Sequence, residues 1–224
     1  MKKNQEKPET DQRFNVLHRL LHIVVFVNFI TLAITGFSLS FAHNGFARVL
    51  ATILGGADGI GGIHRFCATF FYIGVLIHLF WLIFYKLGLK GRLTGPDTMT
   101  PSKKDLSDIY QNLRYIFARG NPPLFNRFSY LQKLDYWAVM LGMQSMGITG
   151  LIMWYPEFFT LFLPGYVVNI AVHFHFHEAV LAVLYIGFVH MTDTHLDPEV
   201  FPIEKSIFNG KKQSGPYARE QQSE

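Results

Sequence analysis

The sequence predicts an all-α integral membrane protein, a four-helix bundle with short interfacial helices. Only 16% of its 224 residues are charged, and half are hydrophobic, whereas soluble domains carry about 25% charged residues. Phenylalanine alone occurs 22 times, and the apolar residues form long blocks. Cys67 is the single cysteine, which excludes a disulfide framework and a cysteine-ligated metal cluster.

Four apolar runs are long enough to cross a bilayer, at about 20–42, 66–85, 136–155 and 167–191. Each approaches or exceeds the roughly 20 residues that a helix needs to cross the hydrocarbon core. The first run is too long for a signal peptide and has no small-residue cleavage site, so we expect it to be retained. The predicted membrane domain covers 13–203, and we expect the polar tails 1–12 and 210–224 to be disordered.

The distribution of lysine and arginine predicts the orientation. Five lie in the tail 1–19, nine in the loop 86–133 and four after residue 191, while the other two connections together carry only Arg48 and Arg65. Positive residues concentrate in cytoplasmic loops. We therefore expect a multi-pass protein of the bacterial inner membrane with both termini in the cytoplasm. The basic residues flank the spans, so the predicted contact is with lipid, and nucleic acid is not expected as a partner.

The connections between the spans carry their own signals. Five glycines between residues 55 and 62 predict a flexible turn, since no Gly-Lys-Ser/Thr follows that would make a phosphate loop. The apolar segment 156–164 is too short to span and is predicted to be an interfacial helix. In the long central loop, the amphipathic spacing of 107–118 predicts a helix on the membrane surface.

Histidines near the ends of the spans form two groups by depth. Ionisable side chains inside a membrane are energetically costly and usually functional. The group predicted towards the cytoplasm is His22, His78 and His190, and the group predicted towards the periplasm is His64, His173, His175 and His177. A lone histidine would more often be an interfacial residue, but two matched layers drawn from three helices favour axial ligands for two stacked haems.

Helical phase narrows the choice of ligands. His175 and His190 are 15 residues apart, which places them about 60° from eclipsed on a helix, whereas His177 and His190 lie about 140° apart. One face of the fourth span can thus present His175 and His190 to two cofactors. Gly36 lies on the face of His22 in the other layer, where a macrocycle could approach the backbone or a neighbouring helix could pack.

The remaining histidines have weaker assignments. We interpret His18, His43 and His195 as interfacial, and His173 and His177 as neighbours of His175. His78 stays open, because its layer contains two further histidines and an iron has only two axial positions.

The order and spacing of several short motifs carry a family resemblance over about 13–203. They are Arg19-x-x-His22, Thr35-Gly36, Ile63-His64-Arg65, Gln132-Lys133, Tyr136-Trp137, Thr149-Gly150, Trp154, Pro156, His175-x-x-Glu178-Ala179 and His190. In these motifs the chain resembles the cytochrome b subunits of membrane-bound formate dehydrogenases and thiosulfate reductases, and the related four-helix cytochromes b that accompany multihaem c-type cytochromes.

The resemblance implies particular site residues. It pairs His22 with His190 around a cytoplasmic-side haem b, and His64 with His175 around a periplasmic-side haem b. It also places a menaquinone or ubiquinone near Ser129, Gln132, Lys133 and His190. The formate dehydrogenase subunit typically has no histidine matching His78, which is left as an alternative iron ligand, a ligand of a further cofactor or a quinone contact. Independently of the resemblance, Arg65 could pair with a haem propionate, because guanidinium groups prefer carboxylates, or it could mark the membrane edge.

The function expected from the sequence is that of a membrane di-haem cytochrome. It would transfer electrons between the quinone pool and a periplasmic c-type cytochrome or iron–sulfur subunit of an oxidoreductase complex, with no substrate site of its own beyond quinone. Two alternatives remain at this point: a proton channel or transporter with a histidine relay, and a metal-binding membrane anchor.

Overall fold

The computed structural model describes residues 14–118, 120–196 and 203–211. The tail predicted at 1–12, and nearly all of that predicted at 210–224, lie outside the described residues. The helices are α1 Val16–Ser40, α2 Gly45–Leu54, α3 Gly56–Leu87, α4 Lys103–Ala118, α5 Tyr130–Trp154, α6 Pro156–Phe159, α7 Tyr166–Leu184 with a π-helical continuation Tyr185–His195, and α8 Ser206–Asn209.

Four of these helices are long and apolar enough to cross a membrane: α1, α3, α5 and α7 with its π-helical continuation. Their outer faces are apolar and open, as at Phe80 and Phe188, which are 68% and 70% exposed. Such surfaces suit contact with lipid chains and not with water. The predicted all-α membrane fold is thereby confirmed.

The glycine-rich stretch differs from its prediction. It belongs to α3, which begins at Gly56, ten residues before the predicted second span. Gly55 and Gly56 have φ angles of 81° and 80°, so two consecutive left-handed glycines make the turn between α2 and α3. The following glycines continue as helix, where the backbone satisfies its own hydrogen bonds, as it must near a bilayer. The prediction of a flexible turn was wrong because it considered the glycine content and not the need of a backbone near a bilayer to satisfy its own hydrogen bonds.

An internal repeat relates α1 to α5. Both helices have 25 residues, and in each the N-cap side chain, Asn15 or Ser129, accepts a hydrogen bond from the backbone N–H three residues later. The tripeptide Ile-Thr-Gly recurs at the same position along each helix, at 34–36 and 148–150. A basic residue, Arg19 or Lys133, occupies the same position in the first turn. The chain is therefore built from two similar helical hairpins.

The second helix of each hairpin completes the repeat. α1 packs along α3, and α5 packs along α7. His64 in α3 and His175 in α7 meet the Ile-Thr-Gly segments of their own hairpins. His78 follows His64 by 14 residues, and His190 follows His175 by 15. The extra residue lies in the stretch that ends in the π-helical Tyr185–His195. A π-helical turn is the usual way in which a helix accommodates one inserted residue.

The two ends of the bundle are built differently. The α6 end carries α2 and α6, while the α4 end carries α4, α8 and the start of α1. At the α4 end, Lys133 Nζ lies 2.8 Å from Asp105 Oδ1, with the two side chains 4% and 14% exposed. Burial raises the pKa of Asp105, but hydrogen bonds from Lys133 and from Ser102 outweigh it, so the pKa lies below its ordinary value. This ion pair fastens α4 to the start of α5.

Lys133→Ala is expected to lower the free energy of unfolding by about 3 kcal/mol, because it leaves the Asp105 carboxylate without its partner in a mostly buried place. Unfolding in detergent followed by circular dichroism measures the change, with the exposed Lys103→Ala as matched control. Since the pKa of Asp105 is depressed, the ion pair stabilises the fold fully at a pH above about 4, the ordinary pKa of aspartate. This stabilisation is lost as the pH falls below that value. Equal stability of the two variants would contradict the prediction.

Candidate functional site

The α6 end holds a pair of half-buried imidazoles, His64 and His175, whose ring centroids lie 6.3 Å apart. Thr35 Oγ1 lies 2.9 Å from Nδ1 of His64, and Thr149 Oγ1 lies 3.0 Å from Nδ1 of His175. Each threonine hydroxyl donates its own proton to a main-chain carbonyl one turn earlier, of Thr31 or Ser145. Its oxygen therefore accepts from Nδ1–H of the histidine, and Nε2 is the unprotonated nitrogen.

The glycine after each threonine makes room for the imidazole. A Cβ at Gly36 would lie 3.2 Å from Cε1 of His64, and a Cβ at Gly150 would lie 3.4 Å from Cε1 of His175. Both approaches are tighter than most contacts of a real Cβ. The Thr-Gly dipeptide thus does two things in each hairpin: its hydroxyl orients the ring, and its glycine lets the ring lie against the helix.

The α4 end holds a second imidazole pair, His22 and His190, with ring centroids 6.4 Å apart. Here the orienting group is charged: Nδ1 of His190 lies 2.7 Å from Asp135 Oδ2. A carboxylate accepts the Nδ1 proton, fixes the tautomer and makes Nε2 a more basic ligand than a hydroxyl does. His195 lies beside this pair, 5.5 Å from the ring of His190 and only 6% exposed. His195 is therefore buried in the protein beside this pair, while its interfacial depth in the membrane stays a prediction.

His78 does not join the His22–His190 pair. Its Nε2 lies 3.0 Å from Tyr136 Oη, and its ring lies 5.7 Å from that of His18 and nearly parallel to that of Trp81. His18 is correspondingly half-buried among these rings. The two histidines form a separate cluster with Tyr136 and Trp81, between α1, α3 and α5.

The residues at the start of α5 have structural partners. Ser129 and Gln132 form a capping box, in which each side chain accepts from the other residue's backbone N–H. Lys133 is bound by Asp105, as described above. At the other end of the bundle, Arg65 is exposed, with its guanidinium 5.6 Å from the Trp154 ring.

His173 and His177 lie on the open side of α7, where both are exposed. They line a shallow groove with Tyr166 and Asn169. The structure keeps them apart from the His64–His175 pair, in agreement with the helical phase of the span.

Sequence reasoning gave no role in these sites to four residues, Thr35, Thr149, Asp135 and Tyr136, although three of them stand in the motifs that carry the family resemblance. The first two stand in the repeated Ile-Thr-Gly tripeptide, which is a readable signal, because a repeat inside two apolar runs singles out the polar residue that it contains. The other two had no such signal, since their importance comes from the partner that the bundle brings to them.

Both imidazole pairs fit haem iron. Two metal–nitrogen bonds of roughly 2 Å, extended by the two rings, place the centroids of bis-histidine ligands roughly 6 Å apart. For His64, His175 and His190, the orienting partner holds Nδ1 and leaves Nε2 for the metal. Neutral imidazole is a usual axial ligand of haem. No cluster of three or more ordinary metal ligands occurs within the described residues.

Comparison with known proteins agrees with this chemistry. The chain matches a family model described as prokaryotic cytochrome b561 over residues 13–192. No curated protein matches it. The matched range contains both imidazole pairs and nearly all of the four membrane-length helices. A membrane cytochrome of this kind transfers electrons through b-type haem. The chain belongs to the prokaryotic cytochrome b561 family.

Proposed function

We propose that the protein is a di-haem cytochrome b that carries electrons across the membrane, between the quinone pool and a periplasmic redox partner. The observation that carries the proposal is the presence of two imidazole pairs with nearly equal separations, 6.3 and 6.4 Å, at opposite ends of one bundle. His64 and His175 hold one haem, and His22 and His190 hold the other. His190 lies 15 residues beyond His175, roughly 22 Å along the helix axis, so each haem occupies its own half of the membrane.

The ligand sets suit electron transfer. A haem with two histidine ligands has no open position, and its iron supplies one-electron redox chemistry. Hydrogen bonds within the protein orient three of the four imidazoles, through Thr35 and Thr149 in one site and through Asp135 at His190 in the other. Rings that are already oriented need little rearrangement when the charge on the iron changes.

The surroundings of the two sites support the two proposed partners. The lysine and arginine distribution favours an orientation with the α4 end at the cytoplasm and the α6 end at the periplasm of a bacterial inner membrane. A quinone exchanges near the cytoplasmic-side haem. A c-type cytochrome or an iron–sulfur subunit docks at the periplasmic end, where Arg65 can pair with a haem propionate. The resemblance to subunits of formate dehydrogenases and thiosulfate reductases supports this arrangement.

The pyridine haemochrome spectrum of the purified protein tests the proposal. The expected result is about two b-type haems per chain, with a Soret band that shifts on reduction. A colourless protein that conducts protons would favour a histidine relay, and a colourless protein with stoichiometric copper or zinc would favour a metal-binding anchor. Either result would overturn the haem assignment.

A further inference from the structure

The internal repeat gives the His22–His190 pair a counterpart at the same end of the bundle. Tyr136 occupies in α5 the position that His22 occupies in α1, each being the seventh residue of its helix. His78 corresponds to His190, because each follows the α6-end histidine of its own hairpin, by 14 residues for His78 and by 15 for His190. The rings of His78 and Tyr136 are 5.8 Å apart. One pair thus offers two imidazoles, and its counterpart offers an imidazole and a phenol.

The chemistry of the counterpart differs from that of the iron site. Nε2 of His78 is engaged by Tyr136 Oη at 3.0 Å and is not presented to another imidazole. A phenol and an imidazole together can both donate and accept protons. Placing such a pair inside a membrane span is costly, which is a general sign of a functional site.

The surroundings of the pair are flat and aromatic. The Trp81 ring lies nearly parallel to that of His78, at an angle of 15°, and Tyr85 stacks on Trp81 with centroids 5.2 Å apart. The head group of a quinone is also a flat ring, and it carries a carbonyl acceptor at each end. A hydrogen-bonding pair beside stacked aromatic rings matches both of these properties.

The pair lies close to the proposed cytoplasmic-side haem. His18, one helical turn before His22, touches the His78 ring with centroids 5.7 Å apart. Asp135, the neighbour of Tyr136 in the chain, holds His190. A ligand at His78 and Tyr136 is therefore separated from the iron ligands by about one layer of side chains. α3 and α5 touch at few points, and the apolar Phe80 and Leu134 beside them are exposed, so an isoprenoid tail can remain in lipid.

We propose that His78 and Tyr136 bind the head group of a quinone, at the position that the repeat relates to the haem-ligand pair. The inference rests on the proposed function, which supplies the electrons. In the reducing direction the quinone would gain two electrons, supplied one at a time by the proposed cytoplasmic-side haem, and two protons, and would become quinol. The Tyr136 hydroxyl and the His78 ring relay the protons: each takes up a proton from the α4 end as it passes one to the quinone, so neither is left as tyrosinate or imidazolate. Oxidation of quinol runs the same steps in reverse.

The residues expected from the sequence to surround the quinone acquire a supporting role. Ser129 and Gln132 cap the start of α5, and Lys133 fastens that start to α4. Tyr136 follows one turn later. These three residues thus position the phenol, and they do not need to touch the quinone themselves.

Binding of 2-heptyl-4-hydroxyquinoline N-oxide, a fluorescent quinone analogue, to the purified haem-loaded protein tests the inference. Tyr136→Phe is expected to weaken the binding about tenfold, because it removes one hydrogen bond to the head group. His78→Leu is expected to weaken it at least as much. Tyr72→Phe is the matched control, since the Tyr72 hydroxyl donates to the Met143 carbonyl in the middle of the bundle. The haem content of every variant is measured alongside.

Full haem content with weakened binding in Tyr136→Phe, and unchanged binding in Tyr72→Phe, supports the site. Unchanged binding in haem-loaded Tyr136→Phe overturns it and leaves the proposed function intact. Loss of one haem from His78→Leu would make His78 an iron ligand and overturn the site as well. Wild-type protein without haem would overturn the proposed function and this inference together. If His78→Leu fails to assemble at all, Tyr136→Phe alone decides.

Discussion

Replacing His64 or His175 with alanine is expected to remove one and the same haem, so that the haem content falls from about two to about one per chain. The two imidazoles lie 6.3 Å apart and both point Nε2 away from their threonine partners, so either loss leaves the iron with a single protein ligand. Pyridine haemochrome spectroscopy measures the content, and a redox titration shows which of the two components has disappeared.

His173→Ala and His177→Ala are the matched controls for this experiment. They remove imidazoles from the same turns of α7 as His175, but from its exposed side. Both control variants are expected to keep two haems and both titration components. If His64→Ala and His175→Ala removed different components, or if a control variant lost a haem, the assignment of this pair would be wrong.

Replacing His22 or His190 with alanine is expected to remove the other haem, while His78→Ala retains both. The rings of His22 and His190 lie 6.4 Å apart, whereas Nε2 of His78 is bound to Tyr136. The same haem assay and titration apply, and the component that survives should be the one lost in His64→Ala.

The comparison with His78→Ala decides between two histidines of similar depth. Loss of this haem in His78→Ala, together with its retention in His22→Ala, would mean that His78 and not His22 is the iron ligand opposite His190. Asp135→Asn adds a finer test, because a neutral amide makes His190 a less basic ligand and should raise the midpoint potential of that haem alone.

The number and class of the elements could be predicted from the sequence because a bilayer leaves few choices. An apolar run of span length has to be helical, and lysine and arginine mark its ends. The ends themselves were less predictable. α3 extends back to Gly56. Helical glycines and turn glycines look alike in composition, and the turn itself depends on the left-handed φ angles of Gly55 and Gly56.

The candidate site, too, could be predicted only in part from the sequence. Helical phase within one span was enough to separate His175 from His177, because both lie on the same rigid helix. The partners of each imidazole depend on how different helices face each other, and a one-dimensional pattern does not contain that information. Tyr136 illustrates the point: nothing around it in the sequence indicates His78, which reaches it from another hairpin.

The Ile-Thr-Gly repeat has a consequence for the origin of the molecule. A hairpin of half the present length, carrying one histidine at each end of its second helix, could pair with an identical copy about a twofold axis along the membrane normal. In that dimer, the α6 ends of the two copies would meet at the axis and form one site, with two identical histidines and two identical threonines. Its α4 end would become two equivalent sites off the axis. Duplication and fusion of such a hairpin would allow those two sites to differ, as they do in this chain at His22 and Tyr136.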